Sequence, residues 1–151
     1  MSAIAVRPAA SADLGRVAEL AGQLGYPSTR AEIEARHAVL SSDPERILVV
    51  ATTPDGRIVG WLEFGMRDSF LSGRHAEIAG LVVDAAVRRQ GVGRTLVAWA
   101  ESEACRRGAA RLRLTSNSQR VEAGSFYPSL GFTQTKLSRV YEKSLASSGG
   151  A

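Results

Sequence analysis

Residues 75–83, HAEIAGLVV, make an apolar run interrupted by a single carboxylate, Glu77, and lack the polar face of a half-exposed strand. Such a run reads as a strand covered on both sides, central in a sheet. It leads into VRRQGVGR, then into Leu96, Val97, Ala100 and Ala104 at helical spacing as far as the stop at Gly108, and then into a second β-rich run, ARLRLTS. Strand, turn, helix and strand in that order imply a right-handed crossover and at least one parallel pair. All-helical folds and purely antiparallel sheets are thereby excluded.

The segments on either side extend this unit. IAVRPA reads as a first strand, and Ser11 is predicted to cap a helix carrying Leu14, Val17, Leu20 and Leu24 on one face, stopped by Gly25 and Pro27. Thr29 and Glu32 stand as a capping box would, predicting a second helix over 30–40. RILVVA and RIVGWLEFGM are joined by TTPDG, whose Pro-Asp-Gly predicts a hairpin, and RDSFLSGR reads as a loop before the central strand. RVEAGSFYPSL predicts a short helix closed by Gly131, and FTQTK and RVYEKS read as the last strands. The predicted fold class is α/β (α+β mixed): a central mixed, mostly antiparallel sheet of six to seven strands with one splayed parallel pair, flanked by about four helices. One domain over 1–145 and a polar tail over 146–151 are expected.

At 151 residues the chain can bury roughly 70% of its unfolded surface, so neither a disulfide nor a structural metal is required. The lone Cys105 cannot form an internal disulfide and reads as a small packing residue on a helix. MSAIAVRPAASADLG lacks the layout of a secretion signal, and no apolar run approaches the ~20 residues of a membrane span; a cytoplasmic protein without a membrane partner is expected. The net charge of +4 comes from arginines spread along the chain without interleaved aromatics, which favours a local anion site over a nucleic-acid surface. His37 and His75 are too isolated in the sequence to suggest a metal site, and none is expected.

The anion site falls in the turn before the second half's long helix. A helix start aims backbone N–H groups and the positive end of its dipole at one point. Gly91 and Gly93 would let a diphosphate approach the backbone, with Arg88, Arg89 and Arg94 adding charge. The phosphate loop pattern G-x-x-x-x-G-K-[ST] fails for want of the lysine, and G-x-G-x-x-G fails because position 96 is Leu. What stands is Arg88-x-x-Gly91-x-Gly93 between a strand and a helix, and this resembles the pyrophosphate motif of the GNAT superfamily of acyl-CoA-dependent N-acyltransferases. Downstream, Asn117, Arg120, Ala123, Phe126, Tyr127, Leu130, Gly131 and Phe132 resemble the superfamily's next block at the same spacing, and the first strand and first hairpin are also similar.

The resemblance implies the acyl-CoA N-acyltransferase fold, acetyl-CoA as the acyl donor, and transfer to a primary amine, most readily that of a small molecule, in a ternary complex. It implies that Leu81, Val82 and Val83 face the pantetheine and thioester, that residues Arg88, Arg89, Gln90, Gly91, Val92, Gly93 and Arg94 hold the diphosphate, and that Asn117 and Phe126 line the same cofactor. Asn117 would bond the pantetheine, cap the next helix, or do both. Tyr127 matches the tyrosine that protonates the leaving thiolate, and a phenol is protonated at neutral pH. Glu77, placed on the face of Leu81 and Val83 by strict alternation, matches a general-base glutamate; burial would raise its pKa, and the alternative is a carboxylate paired with an arginine or anchoring the substrate. Trp61, Phe64 and Tyr26 are candidates for the acceptor pocket or for plain packing. The other functional readings are a CoA-binding regulatory domain without turnover and a protein or peptide N-acetyltransferase, and the resemblance implies a possible homodimer.

Overall fold

The computed structural model describes residues 3–116 and 121–146, the side chains of 121–124 apart. These residues fall into two compact units that divide after Thr115. The first contains strands β1 (Ala5–Pro8), β2 (Arg46–Thr52), β3 (Ile58–Ser69), β4 (Gly73–Val83) and β5 (Leu112–Leu114), with helices α1 (Leu14–Gln23), α2 (Arg30–Ser41) and α3 (Val92–Arg106). The strands lie in sequence order in one open sheet, antiparallel as far as β4. The β4–β5 pair is parallel, with α3 as the crossover, as the strand–helix–strand pattern predicts.

Both faces of the sheet are covered for reasons visible in the helices. On one face Leu14, Val17 and Leu20 of α1 and Leu40 of α2 pack on Leu48, Val50, Ile58 and Val82. On the other, α3 buries Leu96, Val97, Ala100 and Ala104, and Trp99 meets Phe64 edge-on with ring centroids 5.9 Å apart. Gly60 sets how closely α3 approaches. A Cβ there would stand 2.9 Å from the Val82 carbonyl oxygen and 3.2 Å from side-chain carbons of Val92 and Leu96.

Several local expectations change. Ser11 does not cap α1: it opens a 3₁₀ turn, and the carboxylate of Asp13 instead accepts from the Ala10 amide at 2.7 Å and from both terminal nitrogens of Arg7. The capping box of α2 forms as predicted, Thr29 and Glu32 each accepting from the other's amide. RDSFLSGR is no loop. Arg67 pairs with His75 and Asp68 with Arg74 across a continuous hairpin, helped by the Arg74–Asp68 ion pair at 2.9 Å and by Gly73 at a φ of 76°. Cys105 is exposed, because Ala104 takes the buried position on α3.

The second unit holds helix α4 (Val121–Ser129), closed by Gly131 at a φ of 92°. Tyr127 stacks edge-on with Phe126 and Phe132, at centroid distances of 5.1 and 5.9 Å. The expected strands FTQTK and RVYEKS do not form, so the sheet has five strands among the described residues where six to seven were predicted. Leu137, Val140, Tyr141 and Leu145 along this stretch are all more than 80% exposed. Burial of one face is what fixes a strand's register and stabilises its pairing, and here that contribution is missing. Among the described residues, no helix is long and apolar enough to cross a membrane.

Gly60→Ala is expected to lower the urea midpoint at unchanged slope, costing about 1–3 kcal/mol, because the backbone oxygen it would strike cannot rotate away.

Candidate active site

β4 is paired with β3 over its whole length but with β5 only from Ala76 to Ile78. Past that point no strand among the described residues covers its far edge. The Asp84 amide donates to Val59 on β3 at 2.9 Å, so alternation turns the peptide groups of Val82 toward β3 and those of Leu81 and Val83 toward the open edge. The edge then runs directly into the turn of residues 84–91.

Backbone donors at the start of this turn are consumed internally. Ala85 N–H donates to Gln23 Oε1 at 2.9 Å, Ala86 N–H to Asp84 Oδ1 at 3.1 Å, and Val87 N–H to the Asp84 carbonyl at 3.0 Å. Those of Val92, Gly93 and Arg94 begin α3 and have no intrahelical acceptor. Between the two groups the chain reverses through left-handed residues at Arg89 (φ 69°) and Gly91 (φ 83°). Arg89 is the one non-glycine residue with positive φ among those described, a conformation that costs roughly 1 kcal/mol or more and that clusters at ligand clamps. Arg88, Arg89, Gln90 and Arg94 are exposed. Arg89, Gln90, Val87 and Val92 line a cleft of about 450 Å³ with Ile4, Thr53 and Val59. A helix N-terminus flanked by unburied guanidinium groups has the donor set of a polyanion site.

Asp84, which the sequence reading passed over, holds this arrangement in place. Its buried carboxylate accepts from Arg16 at 2.6 Å, Arg57 at 3.2 Å, Gln23 at 3.3 Å and the Ala86 amide. The Ala86 amide first, with Gln23 and Arg16 behind it, holds the Asp84 carboxyl below the usual carboxylate range against the opposing effect of burial. An Asp following a strand and opening a turn was the available signal; its partners on α1 and in the first hairpin were not legible.

Glu77 lies elsewhere than expected. Ala79 is an extra residue in β4, since Glu63 pairs with Gly80 and Phe64 with Ile78, and this bulge reverses the alternation. Glu77, opposite Gly65, therefore shares the α1–α2 face with Trp61, Glu63 and Val82, whereas Leu81 and Val83 share the α3 face with Ile78 and Phe64. Nor is it buried: its side chain is 30% exposed, 3.6 Å from Arg67 and 4.0 Å from His75 Nε2. Phe64 is fully buried under α3, which makes it packing, and Tyr26 is exposed. Trp61 covers Gly80, whose absent Cβ would come within 3.0 Å of the ring, and its buried indole N–H has no partner among the described residues. Tyr127 and Phe126 sit half-buried on α4 in the second unit, and Asn117 lies outside the described residues.

A family model described as acetyltransferase (GNAT) family matches residues 17–132. The chain belongs to this GNAT acetyltransferase family. The chain is 31% identical over 105 residues to an aminoglycoside N(6')-acetyltransferase type 1 of Klebsiella aerogenes, a match covering 65% of this chain and 66% of that protein. Among solved structures, a transcriptional regulator from Bacillus halodurans superposes with a TM-score of 0.84 at 27% identity, covering 93% of this chain and all of that one. The aminoglycoside N-acetyltransferase AAC(6')-Iy in complex with CoA gives a TM-score of 0.84 at 18% identity, covering 95% of this chain and 96% of that chain, and so shares the fold.

Asp84→Asn is expected to cost about 2–3 kcal/mol in urea unfolding, since Arg16 and Arg57 lose their counter-charge. Because the folded-state pKa is depressed, that contribution is present above the unfolded carboxylate range and is lost as the pH falls through the folded value. The stability gap between wild type and Asp84→Asn should therefore be constant from neutrality to about pH 5 and close below about pH 4, as read by urea midpoints across that range.

Proposed function

We propose that this GNAT protein is an N-acetyltransferase that takes acetyl-CoA as donor and a primary amine of a small molecule as acceptor, with direct attack in a ternary complex. The observation that carries the reading is the open edge of β4 at Leu81 and Val83 running into a left-handed turn and the unpartnered start of α3. An extended chain of amides ending in a diphosphate has the complementary pattern: donors and acceptors for a strand edge, then charge for a helix start. Residues 88–94 would hold the diphosphate and the peptide groups of Leu81 and Val83 the amide chain. The complex of a structural neighbour with CoA is in keeping with this.

When bound, acetyl-CoA supplies an acyl group on a thiol leaving group. The chain's part is to orient it, polarise its carbonyl and move two protons. Of the amides of Val82 and Val83, that of Val83 faces the open edge and is the one suited to polarise a carbonyl there. The Glu77 carboxylate takes the proton that the attacking nitrogen sheds as the C–N bond forms, directly or through water. The Tyr127 hydroxyl gives its proton to the sulfur released as the C–S bond breaks, a role that rests on its motif position.

Calorimetric titration with acetyl-CoA, CoA and NAD, followed by a thiol-release assay on a panel of amines, tests the reading. Binding of both CoA forms but not NAD, with release on at least one amine, is expected; absence of acetyl-CoA binding would overturn it. Tyr127→Phe should lower kcat roughly 100-fold with acetyl-CoA affinity nearly unchanged, the range for loss of a general acid. Equal kcat in that variant would remove the acid role. Glu77→Gln should depress kcat at neutral pH in the same assay, and retained activity would leave Glu77 as an anchoring carboxylate.

A further inference from the structure

A polar cleft of about 240 Å³ lies between the β3–β4 turn and the paired stretch of β4 and β5. Arg67, His75, Glu77, Arg113 and Thr115 are among its walls. Glu77 and Arg113 are register partners on the adjacent parallel strands, so their side chains leave the sheet side by side on one face. They do not pair with each other. Glu77 turns to Arg67 and His75, at 3.6 and 4.0 Å. Asp68, the other carboxylate of the cleft, is held by Arg74 at 2.9 Å. Arg113 has no acidic partner among the described residues, and nearby Arg111 is bound to the Ser72 carbonyl, which cancels no charge.

The balance of this cleft decides what it can hold. A polycation needs several carboxylates to receive it, and here Asp68 is held by Arg74, which leaves Glu77, already beside Arg67, to take a single nitrogen. An anion needs an uncompensated cation, and among the described residues Arg113 is one, half-buried beside the carboxylate suited to take a proton from an amine. Partial burial strengthens such a charge-assisted contact relative to one in open water. We propose that the acceptor is an amine bearing an anionic group, carboxylate or phosphate, a few ångströms from its nitrogen: the anion rests on Arg113 and the nitrogen on Glu77. Aminoglycosides and polyamines, with several positive charges and no anion, do not match. This rests on the reading of the Glu77 face as the acceptor side, and it departs from the substrate named for the Klebsiella relative.

Thiol release with matched amines tests it: phenylalanine against phenylalaninamide, phosphoethanolamine against ethanolamine, with kanamycin and spermidine as polycations. At least one anion-bearing member should exceed its anion-free twin roughly tenfold or more in kcat/KM, as one charged hydrogen bond provides, and the two pairs separate carboxylate from phosphate. In Arg113→Gln that ratio should fall to near one, chiefly through KM, while Arg113→Lys keeps most of it; a residue that merely supported the fold would lower both members of a pair alike. A wild-type ratio near one, a preference for kanamycin or spermidine, or a ratio unchanged in Arg113→Gln would overturn the proposal. If acetyl-CoA binds and no amine releases thiol, the acetyltransferase reading fails by itself. The charge proposal is then read by calorimetry of the same pairs on the CoA-saturated protein, where equal affinity, or none, for the members of both pairs overturns it.

Discussion

A single buried carboxylate holds four parts of this chain in register. Asp84 receives Arg16 from α1, Arg57 from the β2–β3 turn, Gln23 from the end of α1 and the amide of Ala86 from its own turn, while its backbone N–H closes the β3–β4 ladder at Val59. Burying a charge is tolerable only when it is fully paired, and the pairing here draws on segments up to 68 residues apart in the sequence. The direction in which β4 delivers the chain to the α3 N-terminus follows from that cluster. The glycines of the turn permit its shape, and Asp84 aims it.

Two single-residue insertions in the ladder decide which face of the sheet each side chain takes. Val59 in β3 and Ala79 in β4 each add a residue against the facing strand, and each inverts the faces of everything beyond it. Without the second, Glu77 would lie beneath α3 with Leu81 and Val83. With it, Glu77 and Arg113 look out on the opposite side from α3, while the backbone edge of β4 lies in the plane of the sheet.

Much of the architecture could be read from residue patterns, because the signals were local. The placing of β4 between two strands, the parallel crossover through α3, the Thr29–Glu32 box and the TTPDG hairpin each depend on residues a few positions apart. What failed depended on pairings that appear only when the strands and helices are in place. Asp13 displaced Ser11 because Arg7 lies within reach only once β1 and α1 are folded, and β3 and β4 lengthened because charges met across a hairpin. The bulge at Ala79 carries no marker in HAEIAGLVV, so strict alternation misplaced Glu77. The glycine turn was legible from its own text, whereas Asp84's four partners and the place of Arg113 beside Glu77 required the assembled sheet.

The open edge of β4 is made of peptide groups alone, and this bears on how the protein can diverge. Exchanging Leu81 or Val83 for another residue of strand-forming character leaves the same N–H and C=O groups in the same places, so drift at these positions is silent toward anything the edge binds. The cleft on the other face is built from side chains, and one substitution at Arg113 or Glu77 rewrites its charge. One strand thus carries an edge buffered against mutation and a surface whose character a single substitution alters.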